Sequence, residues 1–485
     1  MAKCLNFLLI RRFLRKETHY ETFKMDCRYC RHYSRVLIAF VVPTPTGLTH
    51  AGMVVLASLV TANIFWIFNV IPSFATGLLM LCSWVVLGAV NFVTSFNIFS
   101  TTTMWIIIGG LALGAAATKT GLINRIALKV MSYLPASFRG QSMALLVSGT
   151  IISPMIPSAH PKTAMGTPIA KGISDALGYK PKGKGSSGLF MAAIWGFLVM
   201  EASFLSATAQ NYAFKGLLPI KYQNVLTWGN WFILMLPWTI LALILGYLLL
   251  VFLFKPQDDT PVSKDFINKQ LTEIGPMSRD EKITAAVILV AIVFWILGSS
   301  IKLEAAVTAL IGVSILVATK VLSPDDFKNR LSWNTIIFIG TVMALGNVMQ
   351  SVGLTKWLYI VLKPVISPIL SNIWITVIIL PIVIYLCKFV VVSMISTGTL
   401  ILLCLLPFFP SMPFSPALLI LIITTSVNIW MLDYMDAPVI TGQAAVHSSM
   451  VSRAGMAKSS LGYMVINIIG LLASVPVWYL MGLIK

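Results

Sequence analysis

Long apolar runs separated by short polar segments set the pattern of this chain. Residues 36–118 contain no Lys, Arg, Asp or Glu, and later apolar runs recur near the roughly 20 residues that a helix needs to cross a bilayer. The pattern predicts spanning helices near 49–71, 74–95, 102–118, 188–209, 230–254, 283–300, 304–321, 334–350, 373–386, 416–432 and 460–482, about eleven in all. The runs are continuous rather than alternating over ten residues, which points to helices and away from a membrane barrel.

Two further apolar stretches, 141–170 and 388–410, are interrupted by Pro, Gly, Ser and Thr. Both read as re-entrant hairpins, because irregular backbone at membrane depth is tolerated only inside protein or beside a cavity. A short match supports a division into two halves. Ala112-Leu113-Gly114 followed by Gly121-Leu122 returns with the same spacing as Ala344-Leu345-Gly346 and Gly353-Leu354, 232 residues later. Each copy precedes a basic amphipathic segment and then a broken hydrophobic stretch, the layout of repeat-built secondary transporters. The expected organisation is a basic cytoplasmic segment (1–35), a first half (36–254), a cytoplasmic linker (255–282) and a second half (283–485).

Composition agrees: 58% of residues are hydrophobic and 11% charged, against about 45–50% and 25% in soluble domains. The formal charge of +19 does not imply a nucleic-acid partner, since the basic residues fall between hydrophobic runs. Nine of them lie in the first 35 residues, which places the amino terminus in the cytoplasm by the positive-inside bias. Cys27 and Cys30 with His32 have half of a zinc-site spacing, and no second pair completes it. No metal site and no cofactor are expected.

The first broken stretch reads Ser153-Pro154-Met155-Ile156-Pro157-Ser158-Ala159-His160-Pro161-Lys162. Its prolines free backbone groups at mid-membrane depth, where hydroxyls and helix amino termini suit a carboxylate that must shed its water. Ser158, His160 and Lys162 are the candidate ligands there, with a Lys162 that snorkels to the interface as the alternative. In the second half Thr397 and Thr399 are the counterparts, weighed against ordinary hydroxyl bonding to the helix backbone. A second polar insertion follows each broken stretch: Ser206 to Asn211, with Thr208 and Asn211 able to orient a carboxylate, and Asp433 to Pro438. Glu201, Asp433 and Asp436 better suit a coupling sodium ion or proton, and Glu201 also fits a structural pair with a buried Lys.

These residues resemble the divalent anion:sodium symporter family, in the branch of citrate carriers and oxoglutarate/malate translocators. Pro43-Thr44-Pro45-Thr46-Gly47-Leu48 is similar to the Pro-x-Pro-Glu-Gly-Leu start of that branch. Phe204-Leu205-Ser206-Ala207-Thr208-Ala209-Gln210-Asn211 resembles its Phe-Leu-Thr-Ala-Thr-Ala-Pro-Asn, and Trp228-Gly229-Asn230, Ile274-Gly275-Pro276 and Gly482-Leu483-Ile484 add weaker agreement. The resemblance implies a Ser-Asn-Thr motif at each hairpin tip that binds sodium and substrate carboxylate. Here the first motif becomes Ser158-Ala159-His160, and only Ser158 carries over. The second aligns with Ser393-Met394-Ile395 or with Thr397-Gly398-Thr399, again without Asn. Thr208 and Asn211 carry over, and a half-two motif ending in Pro corresponds to Asp433 through Pro438.

The expectation is therefore an all-α membrane protein of about eleven helices in two inverted repeats, each with a re-entrant hairpin. Its function would be secondary transport of di- or tricarboxylate anions by sodium or proton symport or by exchange, in a bacterial inner membrane, as an elevator-like homodimer. An inorganic anion such as sulfate is the alternative substrate. An intramembrane hydrolase using Asp433 and Asp436 is the alternative of another class, although two acids three apart on one segment lack a converging partner.

Overall fold

The computed structural model describes residues 43–484 apart from 69, 258, 260–264, 302, 392 and 433. The basic segment over 1–35, with Cys27, Cys30 and His32, lies outside the described residues, as does Asp433. The first series of helices is α1 (His50–Phe68), α2 (Ser73–Val86), the short α3 (Phe92–Phe96), α4 (Thr102–Lys119), α5 (Leu122–Tyr133) and α6 (Phe138–Ile152). It continues with α7 (Ala159–Ala176), α8 (Lys184–Phe197), α9 (Ala209–Leu217), the single turn α10 (Ile220–Gln223) and the long α11 (Trp228–Phe254). α12 (Asp265–Ile274) lies in the linker.

The second series is α13 (Arg279–Ile301), α14 (Ala305–Ala318), α15 (Pro324–Arg330), α16 (Trp333–Ser351), α17 (Leu354–Leu370) and α18 (Ile373–Lys388). α19 (Met394–Leu405), α20 (Ala417–Ser426), α21 (Ala437–Ala445) and α22 (Arg453–Leu480) complete it. It repeats the first in order: α2 and α14 both have 14 residues, and α9 and α21 both have 9. The glycines of the sequence match occupy equivalent corners. Gly121 (φ +80°) precedes α5 and Gly353 (φ +75°) precedes α17, a left-handed conformation that a Cβ would strain.

Seven helices among the described residues are long and apolar enough to cross a bilayer, or up to nine if each of two sharply bent pairs is one span. The expected count of about eleven is not reached in that form, for two reasons. The runs at 74–95 and 304–321 yield helices of only 14 residues and the run at 416–432 one of 10; the first stops at a left-handed Gly88 (φ +69°), which ends a helix without steric cost. The run at 373–386 is α18, bent by 117° from α17, and it forms the first arm of the second hairpin rather than a separate span.

The enclosed elements are the two equivalent ones. Every residue of α8 after its first, Lys184, and every residue of α20 is buried, whereas α11, α13 and α22 turn side chains such as Ile240, Leu248, Leu289, Val293 and Val465 outward. An outward apolar stripe suits lipid. α8 and α20 then run directly into the polar insertions seen in the sequence.

Candidate functional site

Four helix breaks build the site, two per half. In the first hairpin α6 passes into a tight turn at Ser153–Met155, residues 156–158 are extended, and α7 starts after Ser158. Pro154 and Pro157 withhold amide hydrogens here, which is why the helix fails. Ser158 is half-buried at the N-cap and its hydroxyl caps no amide. In the same half α8 unwinds into tight turns at Val199–Ser203 and Leu205–Ala207 before α9 begins. Thr208 caps α9 by accepting from Gln210 N at 3.3 Å.

The two breaks of this half are tied together. Ala209 N donates to Pro157 O (3.0 Å), Ser206 Oγ to Pro154 O (2.9 Å), and Trp228 Nε1 to Ser206 Oγ (2.9 Å). Carbonyls freed by the prolines thus find donors on the neighbouring break, as buried backbone requires. Asn211 is fully buried; its Nδ2 donates to Phe204 O at 2.9 Å, and its Oδ1 has no partner.

The second half repeats the plan with different chemistry. α18 ends at Lys388, and α19 starts after Ser393, which accepts from Ser396 N at 3.2 Å. Thr397 Oγ1 donates back to Val391 O (3.0 Å) and Ser393 O (2.8 Å), so its hydroxyl closes the hairpin instead of facing a ligand. That is the backbone-bonding alternative raised from the sequence. Thr399 Oγ1 is buried without a partner among the described residues. Between α20 and α21 the described residues are non-helical up to Asp436, whose Oδ1 accepts from Val439 N at 3.1 Å to cap α21, with Pro438 in the first turn.

The halves interlock crosswise. α7 lies along α21: Thr163 Oγ1 donates to Pro438 O and Thr167 Oγ1 to Gly442 O, both at 2.9 Å, and His160 Nδ1 is 2.9 Å from Thr441 Oγ1. Reciprocally α19 packs on α9, where Gly398 leaves room for the Phe214 ring. Each hairpin is seated on the broken helix of the other half, and α9 contacts both hairpins: Pro157 at its start and α19 along its length.

The charged residues at the breaks are deeply enclosed. Lys162 (0% exposed) places Nζ 3.0 Å from Glu201 Oε2 (1% exposed) and donates to Ala207 O at 2.9 Å. This geometry overturns the alternative of a snorkelling Lys162. Among the described residues, Glu201 Oε1 and Asp436 Oδ2 are buried with no partner at hydrogen-bonding distance, as is the indole nitrogen of Trp430. Asp436 and Asn428 are close enough to act on the Glu201 carboxyl, and Lys388 acts on Asp436.

The structure thus brings Ser158, Lys162, Thr208, Asn211 and Glu201 to the paired breaks of the first half. His160 and Pro438 both lie at the α7–α21 contact, His160 against Thr441 and Pro438 accepting from Thr163, and Asp436 caps α21 beside them. Lys388 and Asn428 were not singled out from the sequence. The signal for Asn428 was present, since an amide inside the apolar run 416–432 is costly unless it is used.

Comparison with known proteins now bears on this geometry. Residues 29–484 match the family described as the sodium:sulfate symporter transmembrane region. The chain belongs to that family. YflS of Bacillus subtilis is 28% identical over 338 residues, covering 68% of this chain and 71% of the relative. A chloroplastic protein of Arabidopsis thaliana, dicarboxylate transporter 2.1, is 27% identical over 336 residues, 67% of this chain and 59% of the relative. Among solved structures, the YdaH transporter of Alcanivorax borkumensis superposes with a TM-score of 0.52 at 10% identity, over 90% of this chain and 98% of that one. The last likeness concerns the fold. A family of transporters removes the intramembrane hydrolase as a reading of this multi-pass membrane protein.

Proposed function

We propose that this chain is a secondary active transporter of small di- and tricarboxylate anions, which it binds where the four helix breaks meet. One observation carries the reading: each break ends in the amino terminus of a helix of at least nine residues, α7, α9, α19 and α21, inside a protein that spans lipid. Amino termini offer unpaired N–H groups and partial positive charge to a carboxylate. Ser158 and Asn211 add a hydroxyl and an amide whose side chains leave hydrogen-bonding capacity open. The Arabidopsis relative named for dicarboxylate supports the substrate class.

The halves are proposed as 36–254 and 283–485, joined by the linker 255–282, with the hairpins and broken helices moving in an elevator-like way inside a homodimer. Sulfate is the competing substrate, favoured by the family description. A thermal-stability screen of the purified protein separates them. Succinate, malate or citrate at 100 times its Kd should stabilise by about 2.7 kcal/mol through mass action. A shift with sulfate and none with any carboxylate would overturn the assignment.

A further inference from the structure

One face of α11 splints the unwound segment that joins α8 to α9. Trp231 Nε1 donates to Ala202 O at 2.9 Å, Ser203 Oγ lies 2.8 Å from Thr239 Oγ1, and Phe204 stacks on Phe232 with ring centroids 5.3 Å apart. These contacts hold the broken helix and reach no further. Trp228, the first residue of α11, makes a contact of another kind, because it continues into the hairpin of the substrate site.

Trp228 Nε1 donates to Ser206 Oγ, and Ser206 Oγ donates to Pro154 O, both at 2.9 Å. An indole N–H can only donate, and a serine hydroxyl has one proton to give. The indole therefore fills an acceptor site on Ser206 and leaves the hydroxyl proton for the Pro154 carbonyl, so the relay runs one way, from α11 to the hairpin tip. Its members are held in place. Thr227 caps α11 by accepting from Asn230 N at 3.2 Å, and the Trp228 ring packs 6.0 Å from Phe204 and 6.4 Å from Phe232 between centroids. Ser206 is buried in the tight turn Leu205–Ala207. Together with the bond from Ala209 N to Pro157 O at 3.0 Å, the relay pins the tip turn on both sides. Ser158 follows that turn directly, and Asn211 is bonded into the splinted segment through Phe204 O.

The relay itself has no room for an anion. The cavity beside it, lined by Pro154, Met155, Pro157 and Ser206 against α4 and α13, measures about 10 Å³, which is space for roughly one water and not for a carboxylate.

Resting on the carboxylate reading above, we propose that Trp228 is a positioning residue: through Ser206 it sets the first hairpin tip, with Ser158, at the distance from Asn211 at which both side chains meet one substrate carboxylate. Without the indole N–H the Ser206 hydroxyl turns to other acceptors, the Pro154 carbonyl loses its donor, and the tip shifts. Binding contacts weakened in this way, with translocation untouched, raise KM and leave the maximal rate in place.

Counterflow of radiolabelled succinate into proteoliposomes that hold the full chain tests this. Trp228→Phe keeps a ring against Phe204 and Phe232 and removes the donor. Its KM should rise about tenfold, the size of one net hydrogen bond, with the maximal rate within about twofold of wild type. Ser206→Ala cuts the relay at its middle and should do the same, which also covers the case of a Trp228→Phe protein that does not fold. The double variant should be no worse than either single one, because both cut one chain, and Ser206→Thr, which keeps the hydroxyl, should keep the wild-type KM. A wild-type KM in Trp228→Phe or in Ser206→Ala, a fall in maximal rate at unchanged KM, or a double variant whose KM rises about 100-fold as two independent losses would, overturns the proposal and leaves the carrier assignment intact. If the wild-type protein takes up no di- or tricarboxylate in counterflow or under any gradient, the carrier assignment fails, and this proposal with it.

Discussion

At Lys162 the surrounding protein decides what a single side chain does. Its ammonium is enclosed with Glu201 and the Ala207 carbonyl, and removing one partner of such a pair leaves an uncompensated charge. Lys162→Met should therefore cost about 3–5 kcal/mol, and adding Glu201→Gln should restore much of that. Thermal unfolding in detergent of the two single variants and the double variant measures the coupling directly; additive losses would show that the pair is not a unit. Ser158 and Asn211 behave differently. Ser158→Ala removes a hydroxyl that caps nothing and should leave the melting temperature within the range of ordinary surface changes while abolishing uptake. Asn211→Ala also abandons the part-buried Phe204 carbonyl, so it should lose uptake and, in addition, about 1–3 kcal/mol of stability. Uptake retained in both variants would remove these residues from the site. That Glu201 pairs with a buried lysine was legible in the chain; that the lysine is Lys162, 39 residues away, was not, because their meeting is no matter of local spacing.

At the scale of elements, legibility followed proline. The break of the first hairpin was placed correctly inside the expected stretch 141–170, since Pro154, Pro157 and Pro161 mark a break that no helix can absorb, although its two helices reach from 138 to 176. The second breaks at residues 389–393, which contain Phe and Val but no Pro. The apolar pattern therefore ran on, and its first arm read as a span of its own. α2 and α14 read as spans for the opposite reason, because apolar residues continue past the helix end into the loops that follow. What holds the first hairpin in place was hidden for a third reason. Gly149 of α6 and Gly196 of α8 let the two backbones touch, so that a Cβ at Gly149 would collide with the Gly196 carbonyl and one at Gly196 with the Leu145 carbonyl. Close backbone approach through small residues is a main source of helix association in lipid, and it leaves no periodic signature here. Gly149→Ala and Gly196→Ala should each destabilise by at least the roughly 1–3 kcal/mol typical of overpacking, because backbone cannot rotate out of the way as a side chain can. Yield of folded protein after detergent extraction reports this, and wild-type yield in both variants would mean that the arms are not in backbone contact.

Across the whole molecule the crosswise seating of the hairpins predicts which parts travel together. α7 is bonded to α21 through Thr163 and Thr167, and α19 lies on α9, so the four breaks form one body built from both halves. Ties outside that body join other parts. Arg125 of α5 grips Glu281 of α13 at 2.8 and 3.0 Å and the Gly275 carbonyl at 2.7 Å, and Lys119 of α4 reaches Asp326 of α15 at 2.6 Å. If the first body slides against the second, the boundary runs between α9 and α16, where a Cβ at Gly216 would lie 3.1 Å from Met343 Cγ. Cysteines at Gly216 and Met343, in a background freed of the six native cysteines, are near enough for a disulfide. Oxidation should cut succinate exchange at least about tenfold, a barrier change of 1.36 kcal/mol or more, and reductant should restore it. Cysteines at Thr167 and Gly442, which bridge α7 and α21 within one body, should be cross-linked with little loss of exchange. The contrast between the two cross-links carries the test: equal inhibition by both would mean that transport separates α7 from α21, and no inhibition by the first would mean that α9 and α16 stay together throughout the cycle.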